Sequence, residues 1–421
     1  MPSCLRIDVA SQIGPFKVSG RVVSNRLLPA LLFAVVAIAL SWTQTAPAAG
    51  VPTIREAAAA VAAGDLKRAG TELQEILQST PSDVHALNLL GIVRVQQRND
   101  SEAEQLFRRA VAIDPDFAGA HASLGLLYVQ MGKTDLAIPQ LQESLRLDPG
   151  RKDSRAALVS AYRNQAYAVT QSGDSEKALA LLIEARTVDA EDFDVQYELG
   201  ITALRMSLFP DALDALNQAL KLRPEDGHTL YGLGRANMAL AKFDEAHEIF
   251  EHYIRLRPHD ASGHYASGIT LQALQRTSDA ANEYEKSIEL QPQQTESYFQ
   301  MGRMKLEAGD LEAASDEFER VLKRAPQHAG ALTGMGRIKF QQKDYAHAAV
   351  LLQQAIAADS ELREARYYLG LAYARLGRKE DSEKELAVAS RIEHEEVLKH
   401  QTLLKVVDPD QVHVPPEPAN Q

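Results

Sequence analysis

Cysteine is almost absent: the 421 residues contain one, Cys4. A lone thiol excludes a disulfide framework. It also lies in a segment predicted below to be removed, which leaves no cysteine for a metal site or a nucleophile. A basic excess is lacking too. The chain carries 45 Lys and Arg against 57 Asp and Glu, a formal net charge of −12. That argues against a broad nucleic-acid surface, which needs clustered cations. Long apolar runs are missing as well. The exception, "LLPALLFAVVAIAL" from Leu27 to Leu40, has 14 residues, whereas a membrane-spanning helix needs about 20. What is present is ordinary: 45% hydrophobic and 24% charged residues fit a globular chain.

The short apolar run has telling flanks. Arg21 and Arg26 precede it, and "SWTQTAPAAG" follows, with the small-x-small triplet Ala46-Pro47-Ala48. A basic n-region, an apolar h-region and such a site predict a secretory signal over residues 1–48, cut after Ala48. The protein is then exported, periplasmic or secreted. The alternative is a membrane anchor formed by an uncleaved 27–40 segment. Cys4 precedes the run, so it is no lipidation site. The n-region is long, and Val22 or Val23 is a candidate translational start. Cleavage removes Arg6, Lys17, Arg21, Arg26 and Asp8 and moves the net charge from −12 to −15.

Beyond the leader the chain repeats itself. A glycine recurs at Gly91, Gly125, Gly200, Gly234, Gly268, Gly302, Gly336 and Gly370, after an apolar residue everywhere but at Gly268. The first step is 34 residues, and from Gly200 every step is 34. Twelve residues after each stands a small residue: Ala103, Ala137, Ala212, Ala246, Ala280, Ala314, Ala348 and Ser382. Six of the eight units then place a proline twelve further on: Pro115, Pro149, Pro224, Pro258, Pro292 and Pro326. Each unit shows two amphipathic helical patterns about a polar turn. Turns such as Gly64-Asp65, Gly173-Asp174 and Gly309-Asp310 end one helix and offer a cap to the next. Glycine costs a helix interior roughly 0.5–1 kcal/mol against alanine. Its return predicts a close helix crossing, with the Gly of the first helix and the Ala of the second supplying the gap.

These registers resemble the tetratricopeptide repeat family. Leu87, Leu90-Gly91, Ala103, Phe107, Ala110 and Pro115 match its pattern, with Arg94 departing at the first-helix aromatic; Leu369-Gly370, Tyr373, Ser382, Leu386 and Ala389 match it again without the proline. The resemblance implies an all-α fold, an α-solenoid of about ten helix-turn-helix units forming a superhelix over residues 49–396. Units begin at Gly50, Val84, Ala118, Val159, Phe193, Gly227, Ala261, Thr295, Ala329 and Arg363. Between Gly125 and its counterpart Ala166 the period stretches to 41. The seven extra residues are placed near 152–158 and predict one continuous helix from about Asp153 to Ser172, its end projecting. A capping helix is expected over 397–407, because solenoids need their open end covered. Residues 408–421, "DPDQVHVPPEPANQ", read as a disordered Pro-rich tail.

Enzymatic signals fail on inspection. "GKT" at 132–134 lacks the first glycine of a phosphate-binding loop, since Leu127 stands there, and no strand precedes it. "HEIFEH" (247–252) and "HEEVLKH" (394–400) space their histidines five and six apart. A helical zinc pair needs i and i+4; these spacings turn the second ring roughly 140° and 240° away. No nucleophile triad or acid/base pair stands out. The reading is no enzyme, no catalytic residue, no cofactor and no metal.

The resemblance further implies that positions three before and one after each glycine face a concave groove. From the fifth unit to the eighth the former are Tyr197, Tyr231, Tyr265 and Phe299; Arg235, Arg303 and Arg337 occupy the latter. Aromatics and Arg are enriched at binding hot spots, so this set is the candidate partner-binding surface. The competing reading is that the tyrosines merely cover the inner helix surface and the arginines are solvated. The family's carboxylate clamp is excluded, as no unit has Lys at the ladder position. Its asparagine ladder is excluded too, since only Asn164 stands two before the glycine register. The expected function is a non-enzymatic scaffold outside the cytoplasm. Its partners would be proteins or peptide segments, with no nucleic acid and no membrane span after cleavage. The alternative is an accessory subunit of an envelope machine for polysaccharide or outer-membrane protein assembly and export.

Overall fold

The computed structural model describes residues 52–406, with side chains as far as Glu395. The leader (1–48), the cleavage site and the 408–421 tail lie outside the described residues. Among those described there are twenty helices and no strand. The chain divides into two compact units, one ending at Ile249 and the other starting at Phe250.

In the first unit the helices run α1 (Ile54–Ala62), α2 (Leu66–Ser79), α3 (Val84–Gln96), α4 (Asp100–Ile113), α5 (Ala118–Gln130), α6 (Thr134–Leu147), α7 (Lys152–Gln171), α8 (Ser175–Val188), α9 (Phe193–Arg205), α10 (Phe209–Leu222) and α11 (Gly227–Ala239). Helix α12 (Phe243–Leu256) contains the division. The second unit continues with α13 (Ala261–Ala273), α14 (Thr277–Leu290), α15 (Glu296–Glu307), α16 (Leu311–Arg324), α17 (Ala329–Gln341), α18 (Tyr345–Ala358), α19 (Arg363–Arg375) and α20 (Lys379–Val406). Within each unit the helices pack mainly on their neighbours in sequence, the arrangement of an α-solenoid.

The recurring glycine lies at a close crossing, but its partner differs from the expected alanine. A Cβ built on Gly125 would stand 2.6 Å from Leu141 Cγ, on Gly200 2.5 Å from Leu216 Cγ, and on Gly268 2.6 Å from the Tyr284 ring. The partner is always sixteen residues on, a bulky side chain of the second helix. Phe107 and Phe318 fill this place in other units and, like Tyr284, are fully buried. Burying such a side chain contributes about 1.5–3 kcal/mol, which outweighs the helix penalty of glycine. The alanines twelve residues on are fully buried too; small size lets the second helix come near.

The turns inside the repeats share one backbone device. Seven residues after the glycine register φ is positive: five units place Gly there (64, 132, 173, 309 and 377, φ 72–87°). The other five place Arg98, Ser207, Ala241, Gln275 and Lys343 there, with φ of 57–67°. Aspartates then start many helices: Asp65, Asp174, Asp310 and Asp344 cap second helices, and Asp83, Asp192, Asp226 and Asp260 cap first ones. Each carboxylate accepts from an N–H that the helix leaves unbonded, typically stabilising by about 1 kcal/mol.

Helix α7 holds the seven extra residues. Its first turns keep the earlier register: the Tyr162 hydroxyl accepts from Gln142, twenty residues back, as Tyr128 accepts from Arg108 and Tyr373 from Gln353. Ser154 is fully buried and bonds Ser144 at 2.8 Å. The register changes after Tyr162, and Ala166 is buried against α8 while Tyr167 is 49% exposed. The extra turns therefore lie toward the C-terminal end of α7, and not near 152–158. Seven residues are almost two turns at 3.6 per turn, so the faces stay in phase.

Candidate functional site on the first-helix faces

In the first unit, the site is built on α7, α9 and α11. Arg163 of α7 places Nη2 2.6 Å from Glu198 Oε1 and Nη1 3.2 Å from Asp194 Oδ2, both on α9. Burial pushes the Glu198 carboxyl up, and the Arg163 bond pulls it back only in part. Phe193 and Tyr197 stack with centroids 6.0 Å apart and planes 5° from parallel, and the Arg223 guanidinium lies 3.8 Å from the Phe193 centroid. Burial, with the nearby Asp226 and Glu198, pushes the Tyr197 phenol up to about 12. It is therefore a neutral donor at physiological pH. Tyr231, on α11, is 3% exposed. Arg235, one turn further, is half-buried, and burial lowers its pKa.

In the second unit the corresponding side chains are engaged with their own protein. Tyr265 is 5% exposed, its ring 6.1 Å from that of Tyr284. Phe299 is half-buried, 6.1 Å from Phe318 and 4.8 Å from the His328 ring. Arg303 bonds Gln300 at 3.3 Å and approaches Glu307 at 3.8 Å. Arg337 donates to Glu364 at 2.5 Å and lies 5.1 Å from the Tyr368 centroid. The His328 Nδ1 accepts from the Ala331 N–H, which leaves its Nε2 facing Glu296 at 3.8 Å.

The sequence-derived set thus separates by accessibility. Tyr231 and Tyr265 are core residues, and Tyr265 lies against Tyr284 of the second helix of its own repeat. Tyr197 and Phe299 keep partial exposure, and Arg303 and Arg337 are neutralised internally. The Arg163–Glu198–Asp194 cluster escaped sequence reasoning. Its signal was a spacing of 35 between Arg163 and Glu198, one period plus one, which sets side chains of neighbouring first helices together. Among the described residues no group of three or more His, Cys, Asp or Glu could hold a metal ion, and no helix is long and apolar enough to cross a membrane.

A tetratricopeptide repeat pattern matches residues 54–116, 118–151, 163–362 in overlapping pairs, and 339–405. The chain belongs to the tetratricopeptide repeat family. Proteins of this family bind other proteins or peptide segments, and the fold itself is typically non-catalytic. The barley (Hordeum vulgare) probable UDP-N-acetylglucosamine–peptide N-acetylglucosaminyltransferase SPINDLY is 26% identical over 144 residues, 34% of this chain and 15% of that protein. Cellulose synthase 2 operon protein C of Komagataeibacter xylinus is 29% identical over 150 residues, 35% of this chain and 11% of its own length. The matched region is thus a small part of each curated relative. A tetratricopeptide repeat protein from Parabacteroides merdae is similar in structure, with 17% identity, a TM-score of 0.43, and coverage of 61% of this chain and 98% of that one.

Proposed function

We propose that this repeat array is a non-enzymatic adaptor, working outside the cytoplasm, that holds segments of other proteins on its first-helix faces. The observation that carries the reading is the family match running from residue 54 to residue 405. Of the sequence-derived set, Tyr197 and Arg235 in the first unit and Phe299 in the second are the side chains offered to a partner; Tyr231 and Tyr265 are buried. The leader-like residues 1–48 support export. Affinity capture from an envelope extract with purified residues 49–421 tests the adaptor role. Proteins retained specifically and displaced by free array are the expected result, and an eluate identical to that of blank resin refutes it.

A second reading makes the chain an accessory subunit of an envelope machine for polysaccharide or outer-membrane protein assembly. The partial similarity to Cellulose synthase 2 operon protein C favours it. Gel filtration of native extract separates the two. A subunit co-migrates with one large complex, whereas an adaptor spreads over several sizes.

A further inference from the structure

Helix α18, in the second unit, differs from every other second helix of the array. From α2 to α20 the others all contain charged side chains, whereas Tyr345–Ala358 contains no Asp, Glu, Lys or Arg. Its outward stripe is Ala346, Val350, Gln353 and Ala357, all exposed, with Val350 at 50%. Steps of three and four keep these positions on one side of the helix. One period earlier the same stripe of α16 reads Glu312, Asp316, Glu319 and Lys323, and one period later α20 carries Glu380, Lys384, Ala387 and Arg391; all are exposed. Leu351 of α18 packs against the cluster that holds Phe318 and Val321 of α16, so these two helices are neighbours. A helix face turned to water normally carries charge. The α18 face gives it up between two that keep it.

The flanks identify the occupant. The α16 stripe starts acidic at Glu312 and ends basic at Lys323. The α20 stripe runs likewise from Glu380 to Arg391, whose guanidinium also bonds Glu395 at 3.0 Å. A two-fold axis lying across the helices sets a second copy antiparallel to the first. It brings Glu312 opposite Lys323 and Glu380 opposite Arg391, with the two uncharged α18 stripes meeting between them. Two copies of a chain with a net charge of −12 repel on average; a charge-free centre with an oppositely charged rim removes that repulsion locally. We infer that the outer face of α18 is a self-association surface, on which a second copy of this chain docks antiparallel about Val350. Its size sets the strength. A helix of 14 residues is about 21 Å long and about 10 Å wide, so two facing α18 stripes cover on the order of 400 Å². Specific interfaces bury roughly 1,200 Å² or more. The α16 and α20 stripes about triple the α18 area, which gives a weak, reversible dimer.

Sedimentation velocity of the full chain, purified as the cell processes it and run over a wide concentration range, provides the test. Wild type should show a concentration-dependent equilibrium between monomer and dimer. Val350→Glu sets like charges at the centre of the pair and should weaken association about ten-fold or more. Because Val350 is 50% exposed, this variant should melt as wild type does. Glu312→Lys and Lys323→Glu should each weaken the dimer. The double variant Glu312→Lys/Lys323→Glu again sets opposite charges across an antiparallel pair and should recover it. A wild type that stays monomeric throughout overturns the inference, as does a dimer that Val350→Glu leaves intact. So does a double variant that dimerises no better than either single one. A monomeric wild type that captures a different protein from an envelope extract, and loses it in Val350→Glu, gives the face to that protein and likewise overturns self-association.

Discussion

At the scale of single residues, the packing makes sign predictions that propensity alone reverses. Replacing Gly200 by Ala favours the helix by about 1 kcal/mol on intrinsic scales. The new Cβ would meet Leu216 Cγ at 2.5 Å and the Leu216 backbone nitrogen at 3.3 Å. Overpacking of this kind typically costs 1–3 kcal/mol, so the urea midpoint should fall; a raised midpoint means the crossing relaxes freely. The turn position behaves oppositely. Ala241 holds φ at 57°, where a side chain meets a penalty of roughly 1–2 kcal/mol. Ala241→Gly should raise stability by about 0.5–1 kcal/mol, once the looser unfolded chain is counted. Equal midpoints for the two proteins would contradict this. Glu296 gives a pH test. The His328 imidazole and the Thr295 hydroxyl hold its carboxyl below the usual range, against burial. A depressed folded pKa stabilises above the unfolded value near 4.3 and loses that contribution as pH falls through the folded pKa. Wild type should therefore exceed Glu296→Gln in stability at pH 7, with the gap closing toward pH 3. A gap independent of pH counts against the pairing.

At the scale of elements, α7 is the part worth engineering. Deleting residues 163–169 removes seven positions and rotates the remainder by only about 20°, so a single cooperative melt should persist. Deleting 163–167 removes five, turns the following face by about 140°, and should broaden or lower the melt by circular dichroism. Indistinguishable melts would show that phase is irrelevant here. This helix also marks how far the sequence was readable. The glycine period exposed the repeats, since glycine has few reasons to recur inside helices. The placement of the extra turns escaped it, because two registers, one tied to Tyr162 and one to Ala166, share a single helix. Nor did the period reveal that the Gly91 register meets Phe107 instead of Ala103. Which side chain fills a gap depends on helix separation, a quantity that spacing does not contain. The candidate site was less legible still: Tyr231 and Tyr197 occupy one register but differ in burial, and the pairing of Arg337 with Glu364 depends on a side chain from the next repeat.

At the scale of the whole chain, the testable claim is the leader. The mature protein should begin at Ala49 and be released by osmotic shock without detergent, since a cut after Ala48 removes the only long apolar run. N-terminal sequencing that finds residues 27–40 on the mature chain would instead establish an anchor.

The backbone device at the intra-repeat turns also bears on how the molecule breathes. Ser207, Ala241 and Gln275 occupy the left-handed position in three successive repeats, while both terminal repeats place Gly64 and Gly377 there. In an array whose units lean only on their neighbours, fraying is usually thought to creep inward from the ends. Here the longest run of strained joints lies in the middle, with single ones at Arg98 and Lys343, and the two end repeats are relieved. Hydrogen–deuterium exchange would then see amides near residues 200–280 open as early as those at the termini. A long partner could thread into such a chain through transient openings at its centre.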